Sequence, residues 1–217
     1  MKPVVAIFAH PDDEAFGPAG TLAAFAKTRP VYLICVTDGA AGINSADPNR
    51  KLSDIRREEL LASAKILGIK HVYFLEYKDG TLASNLYHEV AEKIKHILAE
   101  IKPEILLTYE PRGVTGHLDH IAVSFITSYV FERAKEITEL WQYCITAQRR
   151  EAFKDYFIYF PPGYTPSAIS KHIDVTEVWD QKMQALYQHK SQQHDIAFSL
   201  AGYLASPKEE CFIISYK

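Results

Sequence analysis

Short runs of β-branched and aromatic residues, each followed by a stretch with helical spacing, recur along the first two-thirds of the chain and constrain its fold most tightly. The runs Val4–Ala9, Val31–Val36, Val72–Leu75, Ile105–Tyr109 and Trp141–Thr146 have strand length and composition. Helical spacing fills Thr21–Lys27, Ser53–Leu67, Leu86–Ile101 and Asp119–Lys135. Ser53 is a candidate N-cap, and Gly68 a natural left-handed stop. Such alternation builds right-handed βαβ units, hence an α/β fold with a mostly parallel sheet covered on both faces. The remainder predicts a strand over Asp155–Phe160, a turn at Pro161-Pro162-Gly163, a helix over Thr176–Gln193 and a last strand over Cys211–Tyr216. It reads as a β/α extension of the same domain, so residues 1–217 are expected to form one domain without repeats or linkers.

Composition narrows the partners. With 24 basic and 27 acidic residues the net charge is −3, so the basic surplus of a dedicated nucleic-acid binder is missing. The apolar run at Val4–Ala9 is too short for a signal peptide, and no stretch approaches the ~20 apolar residues that span a bilayer. We therefore expect neither nucleic acid nor membrane as a partner. Three cysteines are too few for a disulfide framework. Cys35, Cys144 and Cys211 lie in strand-like runs and read as small buried hydrophobes in a reducing cytoplasm.

Two motifs carry chemistry. Ala9-His10-Pro11-Asp12-Asp13-Glu14 follows the first strand, and Gly116-His117-Leu118-Asp119-His120 follows the fourth. In an open α/β sheet of order 3-2-1-4-5, strands 1 and 4 flank the switch point where ligands bind, so both motifs face one crevice. His10 and Asp13 are spaced i, i+3, as are His117 and His120. Two imidazoles and a carboxylate with an open position make a catalytic zinc site. A spare carboxylate beside it can accept water's proton, and a spare histidine can hold an oxyanion. The spacing does not say which histidine binds metal. Taken singly, Asp-Asp-Glu is a solvated turn and His-x-x-His a surface pair; both motifs at strand ends make that reading improbable.

At these residues the chain resembles the zinc-dependent N-deacetylases of the PIG-L, or LmbE-like, family. The two motifs match the family's paired signatures, and Thr37-Asp38-Gly39, Arg56 with Glu59, Leu67-Gly68-Ile69, Asp79-Gly80 and His189-Lys190-Ser191-Gln192 extend the match over nearly the whole chain. The resemblance implies a Rossmann-like three-layer sandwich and removal of an N-acetyl group, usually from an N-acetylglucosamine unit. It implies His10, Asp13 and His120 as metal ligands, for zinc with iron(II) also suited to the set. It further implies Asp12 as general base, His117 as oxyanion stabiliser and proton donor, and Asp119 as the residue orienting His117. A small N-acetylated sugar is the expected substrate, and self-association is common in the family.

Further residues keep two readings each. Arg56 either holds a polar part of the substrate or pairs with Glu59 one turn along. His189 either closes the pocket from the C-terminal segment or lies at the surface. Glu14 reads as a carboxylate supporting the metal ligands, or else as a charge at a helix N-terminus, and Asp38 as either a rim residue or a turn former. Rival functions are hydrolysis of another amide conjugate at the same site, or a non-catalytic sugar- or metal-binding module. A nucleotide-binding reading fails because His-Pro-Asp-Asp stands where Gly-x-Gly-x-x-Gly would cradle a pyrophosphate.

Overall fold

The structure is a computed structural model that describes residues 1–153, 155, 156 and 158–217. Its elements in chain order are β1 (Val4–Phe8), α1 (Asp13–Phe16), α2 (Ala19–Ala26), β2 (Val31–Thr37), α3 (Leu52–Leu67), β3 (His71–Tyr77), α4 (Tyr87–Ile101) and β4 (Ile105–Tyr109). They continue with α5 (Gly113–Gly116), α6 (Leu118–Arg133), β5 (Glu139–Cys144), α7 (Ala147–Arg150), β6 (Lys171–Asp174), α8 (Trp179–Leu186), α9 (Gln193–Ala205) and β7 (Glu209–Tyr216). The seven strands form one sheet in the order β3-β2-β1-β4-β5-β7-β6. The first five are parallel, β7 runs antiparallel to β5, and β6 antiparallel to β7.

β1 sits at the centre, and each of its five residues is buried. Alternate side chains serve opposite faces, as the two-residue strand period requires. Val4, Ala6 and Phe8 join a core packed by α2, α3 and α8, whereas Val5 and Ile7 join one packed by α4 and α6. Helices on both faces make the three-layer sandwich. Because β2 and β3 lie to one side of β1 and β4 and β5 to the other, the crossovers diverge between β1 and β4. That opens the crevice beyond their carboxyl ends.

The first five strands and the helices between them fall where the periodicity placed them, within a few residues. Ser53 is not a cap: α3 begins at Leu52, Lys51 is the flanking residue, and no side chain caps that end. Gly68 does stop the helix in the left-handed region, with φ 76°. The C-terminal third departs more. The described residues of the strand expected over 155–160 form turns and bends, and Phe157 lies outside the described residues. The helix expected over Thr176–Gln193 is α8 between two 3₁₀ turns, Thr176–Val178 and Lys190–Gln192, followed by α9. The second turn is pinned because Ser191 gives both its N–H and its hydroxyl to the buried carboxylate of Glu59.

One buried ion pair ties this C-terminal part to the first motif. Glu210 of β7 accepts from the backbone N–H groups of Gly20 and Thr21 at the start of α2, at 2.9 and 2.7 Å. Lys182 of α8 donates to Glu210 Oε1 at 2.7 Å and to the Gly17 carbonyl at 2.6 Å. Both side chains are sealed from water, so each charge depends on the other. Lys182→Ala should therefore lower unfolding free energy by about 3–5 kcal/mol in a denaturant titration, since it strands a buried carboxylate.

Candidate active site and metal centre

Residue by residue, the site grows out of the two strand ends. After β1 the chain turns at Ala9 and His10, and Asp13 opens α1 with its carboxylate folded back. Asp13 Oδ2 accepts from the N–H groups of Ala9 and His10 at 3.0 and 2.8 Å. That local closure, favoured by a short carboxylate near its own backbone, fixes where the other oxygen points. Asp13 Oδ1 lies 3.2 Å from His120 Nε2. These contacts, led by the His120 charge, overcome burial and hold the Asp13 carboxyl far below the usual range.

Beyond β4, the turn Gly113–Gly116 leads into α6. Val114 has φ 61° and ψ −60°, a region a β-branched residue rarely enters. Glu110 holds it there: its buried carboxylate accepts from the N–H groups of Val114 and Arg112, both at 2.8 Å, and from the Tyr164 hydroxyl at 2.6 Å. Strain of this kind persists only where surroundings enforce it. It aims the Gly113 carbonyl at His120 Nδ1, 3.0 Å away. A carbonyl only accepts, so His120 carries its proton on Nδ1 and turns a lone pair on Nε2 towards Asp13.

His10 is oriented the same way from the opposite side. Its Nε2 lies 3.0 Å from Asp79 Oδ1 and 3.3 Å from Asp119 Oδ2. The proton therefore belongs on Nε2, and Nδ1 faces His120 Nε2 at 3.1 Å and Asp13 Oδ2 at 3.8 Å. Two imidazole nitrogens and a carboxylate meeting at such distances require a proton or a cation among them. Donors about 2.0–2.2 Å from a tetrahedral ion stand roughly 3.4 Å apart, which matches these separations. Burial alone would lower the His10 pKa, yet Asp119, Asp79 and Asp13 outweigh it and raise it to about 10. The site calls for positive charge, and His10, Asp13 and His120 form a set that can hold a divalent metal.

Asp12 stands beside this set. Arg56 donates to Asp12 Oδ2 at 2.8 Å, and to the carbonyls of Gly39 and Pro11 at 2.8 and 3.3 Å. Burial raises the Asp12 pKa, with the Arg56 charge opposing it. Of the two readings for Arg56, the pairing with Glu59 is not seen, since Glu59 is engaged by Ser191. His117 caps α6: its Nδ1 accepts from the Asp119 N–H at 3.1 Å, which leaves the ring proton on Nε2. Burial, with the neighbouring His10 and His120 charges, lowers its pKa to about 4, so this imidazole is neutral at neutral pH. Asp119 touches His117 through that backbone N–H, while its carboxylate serves His10 and accepts from the N–H groups of Gly80 and Leu82 at 2.8 and 3.1 Å.

A cavity of about 290 Å³ is lined by His10, Asp12, Asp13, Arg56, His117 and His120 together. Its remaining wall mixes aromatic side chains, including Tyr109, Tyr143, Phe153 and Tyr203, with polar ones such as Arg149, Gln192 and Asp195. His189 is not on that wall. It is fully buried and bonded through Nε2 to Glu14 Oε1 at 2.8 Å, where Ser63 also donates. Burial would lower the His189 pKa, but Glu14 reverses this and raises it. Glu14 thus braces α1 from behind. Asp38 accepts from the N–H groups of Ala40 and Asp79, which joins the two loops at the rim.

Sequence reasoning assigned no role to Asp79, although Asp79-Gly80 stood out as a loop motif. It also passed over Tyr109, whose hydroxyl donates to the Asp13 carbonyl at 3.1 Å and whose ring lies 4.7 Å from that of His120.

The sequence profile of the family described as PIG-L: GlcNAc-PI de-N-acetylase matches residues 5–131, more than half of the chain. The chain belongs to the PIG-L family. A PIG-L relative from Bacillus subtilis (strain 168), named probable N-acetyl-alpha-D-glucosaminyl L-malate deacetylase 2, is 31% identical over 196 residues, covering 87% of this chain and 82% of its own. The diacetylchitobiose deacetylase of Thermococcus kodakarensis is 30% identical over 204 residues, covering 88% and 70%. Among solved structures, the N,N'-diacetylchitobiose deacetylase from Pyrococcus horikoshii superposes with a TM-score of 0.75 over 99% of this chain and 84% of that one. At 22% identity it shares the fold.

Asp79 fixes the tautomer and direction of His10. Asp79→Asn should weaken metal binding by about 10–100-fold in a chelator-competition titration while leaving the fold intact.

Proposed function

We propose that the chain is a metal-dependent N-deacetylase that hydrolyses the acetamide of a small N-acetylglucosaminyl compound, with zinc, or iron(II), held by His10, Asp13 and His120. The observation that carries this reading is the convergence of those three donor sets beside a carboxylate, Asp12, that Arg56 holds in place within one cavity. An ion bound there supplies Lewis acidity and a water acidic enough to attack at neutral pH. Membership of the PIG-L family and relatives named as deacetylases of N-acetylglucosaminyl compounds support the same assignment.

This chain's own residues divide the remaining work. Asp12 takes the proton of the attacking water, and the burial that raises its pKa makes it a better base. Arg56 keeps that carboxylate from swinging away, with two backbone carbonyls bracing the guanidinium. His117, neutral and protonated on Nε2, donates to the acetyl oxygen as negative charge develops there. The proton taken by Asp12 replaces the one His117 then gives to the departing amine as the C–N bond breaks. The aromatic wall covers the apolar faces of a sugar ring, and Arg149 offers donors to hydroxyl or carboxylate groups of the acceptor.

Among the described residues no helix is long and apolar enough to cross a membrane. A water-soluble substrate met in the cytoplasm, and a self-associating enzyme, complete the proposal.

Acetate release should be followed from N-acetylglucosamine, short chitooligomers, and its malate and inositol conjugates, each with and without a chelator. Chelator-sensitive release from at least one supports the reading, whereas metal-loaded protein inert on all of them would overturn the N-acetylglucosaminide assignment. For the responsive substrate, Asp12→Ala should keep the metal and lower kcat by at least about 10²-fold.

A further inference from the structure

Among the described residues, one group of ligand-type side chains gathers away from the cavity, on the sheet edge formed by β6 and β7. In the antiparallel register His172 of β6 stands directly opposite Cys211 of β7, and Cys144 of β5 stands opposite Cys211 on its other flank. Directly opposed residues share a face of the sheet, so an imidazole and two thiols form a row across three strands. Glu209, two residues before Cys211, lies on the same face. His172 Nδ1 is 3.2 Å from Glu209 Oε2 and 3.4 Å from Cys211 Sγ, and the three ligand atoms all fall within 4.8 Å of one another.

One nitrogen therefore faces a carboxylate and a sulfur together. A proton on Nδ1 lies along one of those directions at a time, whereas a cation among the three atoms draws on a lone pair from each. We infer that His172, Glu209 and Cys211 form a second metal site, which takes a borderline divalent ion such as zinc. Thiolate, imidazole and carboxylate are the ligand types such an ion accepts, and the spacing suits a tetrahedral arrangement with one position open. Access is direct, because the His172 side chain is 42% exposed and that of Glu209 34%. The set differs chemically from the catalytic one in holding sulfur. An ion there ties β6, a four-residue edge strand, to β7, which carries Glu210.

Cobalt(II) titration of the reduced full-length protein separates the two centres, because only a sulfur ligand gives a strong near-ultraviolet sulfur-to-cobalt charge-transfer band. The wild type should take up two equivalents, one of them with that band. His172→Ala, at an exposed position, should weaken the banded equivalent at least about tenfold, and Cys211→Ser should abolish the band, while both keep the first equivalent. Zinc at the second equivalent should raise the Tm of the wild type and not of His172→Ala. Absence of the band in the wild type, or a banded equivalent whose affinity His172→Ala leaves unchanged, overturns the site.

Discussion

Three carboxylates and two imidazoles, Asp13, Asp79, Asp119, His10 and His120, are packed out of water in one small volume. Charges so placed are tolerated only when each is answered by a partner. Backbone amides do much of the answering: Ala9 and His10 for Asp13, Ala41 for Asp79, Gly80 and Leu82 for Asp119. Those amides lie in loops that follow β1, β2 and β3. Strand order is what brings the loops side by side, so the requirement to satisfy these charges and the requirement to form this sheet are one requirement. The cluster can also take a divalent ion, since His10 Nδ1, His120 Nε2 and the Asp13 carboxylate converge on one another.

The order of constraint runs from strand to turn to ligand. β1 and β4 are adjacent and sealed within the sheet, so their ends are fixed to within the tolerance of a packed core. Short carboxylates then shape the turns: Asp13 closes the first, and Glu110 forces Val114 into its strained conformation in the second. The imidazoles come last, held on both ring nitrogens. Asp12 and His117 are positioned differently, the first by a guanidinium and the second at a helix N-terminus.

Much of this was legible in the sequence, for reasons that can be named. Apolar runs at β1, β2 and β4 are nearly continuous because the sheet buries both faces there, and the motifs follow β1 and β4 directly. The rest depended on contacts distant in sequence. β6 is short, lies at an edge and keeps three of its four residues exposed, so it carries no periodic signal. The helix read through His189 breaks because Ser191 is captured by Glu59, a partner on another element. His189 itself reads as a surface or pocket residue until Glu14, which also accepts from Ser63, is seen to bond it in the interior. Asp79 escaped assignment since a lone Asp-Gly after a strand is an ordinary turn, and only the crevice shows its oxygen on His10.

The carboxylate of Glu210 has a bearing on how the molecule comes into being. It caps α2 from β7, 190 residues further along the chain. During vectorial synthesis β1 to β5 can emerge and pair while the amides of Gly20 and Thr21 and the carbonyl of Gly17 still lack these partners. The catalytic turn that precedes them is then supported from one side only. Final closure of the N-terminal motif must await the emergence of β7, so a product cut short before Glu209 can acquire most of the sheet and still be born without a finished active site.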